Sequence, residues 1–256
     1  MENFLEKILI EKQDEVNQML LETPKAVRQT KGLVQRLREN PSHLQVIGEV
    51  KRASPSLGAI NMTVDVLAQA KSYEAAGVSA ISVLTDPVFF KGSIDDLRLV
   101  AKHVDVPVLN KDFIIDKKQI IRAVNSGATI VLLIVACLSE ENLQELYDYA
   151  VSLGLEVLVE VHNAAELEVA HRINAELIGV NNRNLKSFEV DIQNSLDLIA
   201  LQEPTRFYIS ESGIKSPVEA ARVAHDFRAV LVGEALMRDG DPQKAAKDLQ
   251  VDRHVD

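Results

Sequence analysis

Eight short β-branched runs alternate with amphipathic stretches from residue 45 onward, and this rhythm constrains the fold more than any other feature of the chain. The runs are QVIGEV (45–50), AISVL (80–84), VPVLN (106–110), IVLLIV (130–135), EVLVEV (156–161), LIGVN (177–181), RFYIS (206–210) and AVLVG (229–233). Helical spacing marks 64–76, 94–102, 117–126, 139–153, 164–173, 193–200, 217–225 and 241–249. Some of these stretches open with helix-start chemistry, such as Ser139 ahead of Asn142, or Ser216-Pro217 with Glu219. Others close on Gly77, Gly127 and Gly154, where a glycine can turn left-handed. The alternation predicts a parallel sheet wrapped by helices. A doubly wound sheet rarely needs eight regular units, and no GxGxxG follows the first strand. The expected class is therefore α/β, a (β/α)8 TIM barrel.

Ahead of the first strand, Phe4, Leu5, Ile8, Leu9, Val16, Met19 and Leu20 recur at three- and four-residue spacing, and Pro24 and Pro41 punctuate the segment. This predicts an N-terminal helical extension over 1–43 on one domain spanning 1–256, with no long linker between them. The apolar share, 46%, is enough for a core of that size, and the net charge of -10 argues against a nucleic-acid partner. The single cysteine, Cys137, rules out an intramolecular disulfide and reads as a buried small hydrophobe. Apolar runs such as IVLLIVACL (130–138) are far short of the roughly 20 residues that span a bilayer. The N-terminus carries acids among its apolar positions and no small-residue cleavage site follows. A cytoplasmic protein with no membrane partner is expected.

In a barrel the chemistry sits at the C-terminal ends of the strands. The first run ends Glu49-Val50-Lys51, with both charges on one face by the period of two. The third ends Asn110-Lys111-Asp112, the fifth carries Glu160 among valines, the sixth ends Asn181-Asn182-Arg183, and the seventh ends Ser210-Glu211-Ser212-Gly213. Any one of these could be a solvated strand end, but an unpaired Glu160 inside an apolar run would be costly. Two lysines and three glutamates at one rim predict an active site, with lysines lowered and glutamates raised toward neutral pKa values.

A second constellation lies on the last two runs. Ser212-Gly213-Ile214 precedes a helix starting near Ser216, and Gly233-Glu234-Ala235-Leu236 looks like the start of a short extra helix. Phosphate sites in this fold are built from these loops, so Ser212, Gly213, Gly233 and Glu234 are the candidate phosphate contacts, Glu234 through its backbone N–H. The histidines at 43, 103, 162, 171, 225 and 254 lack metal-ligand spacing and are expected at the surface or as caps, His162 included although it follows the fifth run and is within reach of the rim. No zinc, P-loop or dinucleotide motif appears, so neither a metal nor a cofactor is expected.

Six segments then form a recognisable set: EVKRASPS (49–56), SVLTDPVFFKGS (82–93), LNKDFIID (109–116), GVNNRNLKSFEVD (179–191), SESGI (210–214) and VLVGEALMR (230–238). In order and spacing they resemble the signature segments of the indole-3-glycerol-phosphate synthase family, over about residues 40–240. That family closes an indole ring on 1-(2-carboxyphenylamino)-1-deoxyribulose 5-phosphate in tryptophan synthesis, with loss of CO₂ and water. The resemblance implies Lys111 as general acid, Glu160 as second acid–base group and Lys51 as partner of the substrate carboxylate. It implies that Glu49, Asn181, Glu211 and Ser212 orient hydroxyls and lysines, that Ser54 and Arg183 bind nearby, and that Phe90 and Phe113 line an aromatic slot. One departure is Leu57, where the family's SPSKG usually has lysine.

Three other readings stay open at this point. In a Schiff-base aldolase of the same fold Lys111 would be a nucleophile. A sugar-phosphate isomerase barrel would share the phosphate site but not the lysine pair. A non-catalytic phosphate-binding protein would tolerate loss of the rim charges. The expected partner is a phosphorylated small molecule, bound by a monomer.

Overall fold

The computed structural model describes residues 4–56 and 58–253; Leu57 and His254 lie outside the described residues. Eight parallel strands close into a barrel. They are β1 (Gln45–Val50), β2 (Ala80–Leu84), β3 (Val108–Lys111), β4 (Ile130–Ile134), β5 (Glu156–Val161), β6 (Leu177–Asn181), β7 (Phe207–Glu211) and β8 (Ala229–Val232). Closure comes from β1, which pairs with β2 on one side (Ile47 opposite Ala80) and with β8 on the other (Gln45 opposite Ala229). The third strand begins two residues later than its sequence run, because Pro107 has no N–H to give a ladder; its carbonyl still accepts from Ile81 N at 2.9 Å.

Strand side chains divide by parity. Ile47, Leu109, Leu132, Leu158, Leu177, Ile209 and Leu231 fill the barrel interior, while Val46, Val83, Val131, Val159 and Val230 face the surrounding helices. The helices are α3 (Val66–Ala75), α4 (Ile94–His103), α5 (Lys117–Asn125), α6 (Glu140–Ser152), α7 (Ala164–Arg172), α8 (Gln193–Leu198), α9 (Pro217–Val223), α10 (Glu234–Arg238) and α11 (Pro242–Asp248). Ser139 caps α6 as its sequence predicts, accepting from Asn142 N, and Gly77, Gly127 and Gly154 take φ of 81, 93 and 88°.

The extension is less helical than its spacing suggests. It forms α1 (Phe4–Gln18) and α2 (Leu33–Glu39), while 19–32 is irregular. Pro24 restricts the residue before it, and Leu20 and Leu21 are 86 and 74% exposed, so no apolar face rewards a helix there. Instead the segment is strapped along the barrel. The Arg28 guanidinium donates to the carbonyls of Ala101 (2.8 Å), Val104 and Val106 (2.7 Å), and Asn125 Oδ1 accepts from Lys25 N at 2.8 Å. Thus α1 reaches the strand C-termini, whereas α2 plugs the opposite end with Leu33, Val34 and Leu37. Among the described residues no helix is long and apolar enough to cross a membrane.

Candidate active site

The parity that sends Leu109 and Leu158 inward also sends the next residues of the same face inward, at the C-terminal mouth. Lys111 follows Leu109, Glu160 follows Leu158 and Glu211 follows Ile209. Their side chains meet: Lys111 Nζ donates to Glu160 Oε2 at 2.6 Å and to Glu211 Oε2 at 2.8 Å. Asn181 Nδ2 donates to Glu160 Oε1 at 3.0 Å. On β1, Lys51 Nζ lies 2.6 Å from Glu49 Oε1. Two glycines make room for these acids. A Cβ on Gly179 would stand 1.9 Å from Glu211 Oε1, and one on Gly233 would stand 2.5 Å from Glu49 Oε1 and 3.0 Å from Lys51 Nζ.

The electrostatics correct one expectation. Burial alone would lower Lys111, but the carboxylates of Glu160, Glu211 and Glu49 outweigh it and hold the ammonium well above the ordinary lysine range. Burial acts to raise Glu160 as well, yet Lys111 and His162 hold it well below the carboxylate range. Glu211 goes the other way: burial, helped by the charge of Glu160, pushes it up to about 7 against the pull of Lys111. Two acids on one ammonium thus divide into a firmly ionised member and one that titrates near neutrality.

His162 is the residue that sequence reasoning set aside. Its Nε2 lies 3.2 Å from Glu160 Oε1 and its Nδ1 3.0 Å from Glu166 Oε2. Burial tends to lower it, but the two carboxylates push it up to about 9. It stands two residues beyond Glu160, so the same period of two that placed Lys51 beside Glu49 would have found it. Gly179 also carried a signal, since a glycine inside a strand often marks a close approach.

Glu49, Lys51, Lys111, Glu160, Asn181 and Glu211 border a cavity of about 160 Å³. Its other walls differ in character. On one side lie Phe90 and Phe113, with ring centroids 6.1 Å apart, roofed by Phe4, Leu5 and Ile8 of α1. Ser54 borders it too, and Arg183 crosses nearby, donating to Ser56 Oγ at 2.9 Å and to the Phe188 carbonyl at 3.1 Å. On the opposite side are two tight turns. Ser212 and Gly213 take φ of 66 and 87°, pinned by Asn182 Nδ2 donating to the Ser212 carbonyl at 2.9 Å. Gly233 caps α10, and the Glu234 carboxylate lies 3.3 Å from Arg238. The sequence reading did not single out α1, Leu185, Phe188 or Lys215 as lining residues.

A family model described as indole-3-glycerol phosphate synthase matches residues 5–249, which takes in the barrel and the extension alike. The chain belongs to the indole-3-glycerol phosphate synthase family. Relatives of that name from Lactococcus lactis subsp. cremoris (strain MG1363) and Streptococcus pneumoniae (strain CGSP14) are each 58% identical. The first alignment covers 99% of this chain and 97% of the relative, the second 98% and 99%. All six motif segments that resemble the family fall inside the matched residues. Among solved structures, a 3-hexulose-6-phosphate synthase from Salmonella typhimurium (TM-score 0.65, 15% identity) covers 80% of this chain and 96% of its own. A thiamine phosphate pyrophosphorylase from Pyrococcus furiosus (TM-score 0.59, 15% identity) covers 80% and 93%. At that identity these two share the barrel alone with this family member.

Proposed function

We propose that this chain closes the indole ring of indole-3-glycerol phosphate from 1-(2-carboxyphenylamino)-1-deoxyribulose 5-phosphate, as a carboxy-lyase of tryptophan biosynthesis. The observation that carries the reading is Lys111, an ammonium shared by Glu160 and Glu211 at a mouth with one aromatic wall and one wall of glycine turns. The aromatic ring lies against Phe90 and Phe113. The phosphate lies between the Gly213 and Gly233 turns, held by the N–H groups of Ser212, Gly213, Gly233 and Glu234.

In the first step the ring carbon that bears the carboxylate attacks the ketone carbon, forming a carbon–carbon bond, and Lys111 gives its proton to the ketone oxygen. A firmly charged ammonium suits this role, because it also stabilises the oxyanion as it develops. Lys51 faces the carboxylate, whose bonding pair returns to the ring as CO₂ leaves. Water then departs. The methylene beside the nitrogen gives a proton to the ionised Glu160, which Asn181 and His162 hold in place. The C–O bond of the new hydroxyl breaks as the ring double bond forms, and that proton leaves with the hydroxyl as water. Glu49 keeps Lys51 oriented, and Ser54 and Arg183 bind beside the carboxylate. Glu211 Oε1 has no hydrogen-bond partner among the described residues, so it is left to accept a substrate hydroxyl.

The charge on Lys111 also weighs against the aldolase reading, since imine formation needs a neutral amine. We further read residues 1–256 as one domain with 1–43 as its extension, acting as a cytoplasmic monomer without metal or cofactor, since this reaction needs no redox carrier or electron sink. The test is direct. The chain has no tryptophan, so indole-type emission that grows on addition of the substrate, as the anthranilate-type emission falls, comes from product and not from protein. Equimolar CO₂ should accompany it. Absence of both in folded protein would sink the proposal.

A further inference from the structure

The chemistry above makes no use of the most deeply buried cation of the extension. Lys12 lies with Ile8 and Val16 on the inward stripe of α1 and is 1% exposed. Its Nζ is 2.7 Å from Asp112 Oδ1, 2.9 Å from Asp86 Oδ2 and 2.8 Å from Glu15 Oε2. Arg122 closes the cluster, 2.6 Å from Glu15 Oε1 and 3.6 Å from Asp112 Oδ2. Taking an ammonium and two carboxylates out of water is unfavourable, and an apolar residue would fill the same stripe without that cost. The cluster therefore calls for a reason beyond holding α1 in place.

The reason lies in what the two aspartates do with their remaining capacity. Asp86 Oδ1 accepts from Phe89 N at 2.6 Å and from Phe90 N at 3.1 Å, so it shapes the turn after β2. Asp112 Oδ1 accepts from Phe113 N at 2.8 Å, and its Oδ2 accepts from Thr85 Oγ1 at 2.5 Å. One ammonium thus draws together the two turns that carry Phe90 and Phe113, whose rings stand 6.1 Å apart at 39°. Without it, two buried carboxylates would face each other across that junction. The same helix lays Phe4 edge-on against Phe89, with centroids 5.4 Å apart.

We propose that Lys12 is a positioning residue for the aromatic wall of the site, setting the gap between Phe90 and Phe113 through Asp86 and Asp112. The proposal rests on the function above only in naming an aryl ring as what that wall receives. It implies that Lys12 governs one end of the ligand and leaves the other alone.

The test separates the two ends with fragments. Anthranilate binding is followed by its own fluorescence, and inorganic phosphate binding by competition or calorimetry; neither needs turnover, so failure of the proposed reaction is a separate result. Lys12→Met should weaken anthranilate at least tenfold while phosphate affinity changes less than twofold. Where substrate is turned over, KM should rise more than kcat falls. Lys12→Arg, which keeps the charge, should stay within about threefold of the parent for anthranilate. Should Lys12→Met not fold, Asp86→Asn decides instead, with an anthranilate loss of several-fold and phosphate unchanged. Equal loss of both fragments, loss of neither, or no anthranilate binding by the parent protein overturns the proposal.

Discussion

Glu156 and Glu160 begin and nearly end the same strand, β5, and their side chains share its inward face, yet they hold opposite ends of the barrel by different means. At the closed end Glu156 accepts from the backbone amides of Leu33 (2.6 Å) and Val34 (2.9 Å), capping the start of α2. At the open end Glu160 is satisfied by Lys111, His162 and Asn181, all side chains. A glycine makes room for Glu156, since a Cβ on Gly32 would come within 2.6 Å of its Oε1, whereas at the mouth the glycine at 179 makes room for Glu211 and not for Glu160. The consequences diverge. Burial pushes the Glu156 carboxyl up, with the two amides pulling against it, whereas Glu160 sits well below the ordinary range. Backbone partners cannot leave without unwinding α2; side-chain partners can swing toward a substrate. One strand thus carries an acid held by backbone and an acid held by side chains.

The comparison can be broken at its strongest point first. Lys111→Met should cut kcat by about 10²- to 10⁴-fold, the usual contribution of a general acid, with a smaller change in KM. Steady-state kinetics backed by single-turnover runs decide it; near-normal kcat would pass the role of acid to Lys51. Next, Glu160→Gln should lower kcat by about 10²-fold, whereas Glu156→Gln should leave kcat within about twofold. If both glutamines damage turnover equally, the two ends are not functionally distinct. Lys51→Met should harm kcat and KM together, each by about tenfold, because a counter-charge to a carboxylate acts in the ground state too. In Glu156→Gln the loss should instead appear in urea unfolding, at about 1–3 kcal/mol, since the new NH₂ cannot accept from an amide.

The smallest effect concerns His162, raised from 6.5 to about 9 by its two carboxylates. A histidine raised in the folded state contributes stability that is full below 6.5 and fades as pH rises through 9. The melting temperature of His162→Asn should therefore fall short of the parent's near pH 6 and match it near pH 10. An equal deficit at both would mean that the imidazole is not charged there.

Much of this could be read from residues alone, and the exceptions have causes. β1, β2, β5 and β6 begin and end where their runs do, because an unbroken β-branched run buried on both faces leaves little choice of boundary. β3 starts late at a proline, and the helical spacing around Met19 and Leu20 yields to a proline and to the lack of anything to pack against. At the mouth, parity was enough to bring Lys111, Glu160 and Glu211 together. It applied equally to His162, which was overlooked because it was weighed as a metal ligand rather than as a counter-charge. Lys12 had a local signal in its place between Ile8 and Val16 at four-residue spacing, but nothing local names its partners. A charge on an apolar stripe needs a counter-charge, yet Asp86 and Asp112 lie far along the chain, where only the closed barrel brings them near.

The strap from 19 to 32 gives α1 a standing that a terminal helix on its own would lack. It makes the helix an intramolecular ligand on a leash, presented to the mouth at a concentration that for a short tether is of order millimolar. A helix held by one ion cluster and a few rings need not bind tightly to remain seated under those terms. A single proteolytic nick among the exposed residues near Leu20 and Leu21 would remove that advantage without touching the barrel. The freed helix would then hold on by its intrinsic affinity alone, and synthetic α1 peptide added in trans would measure it.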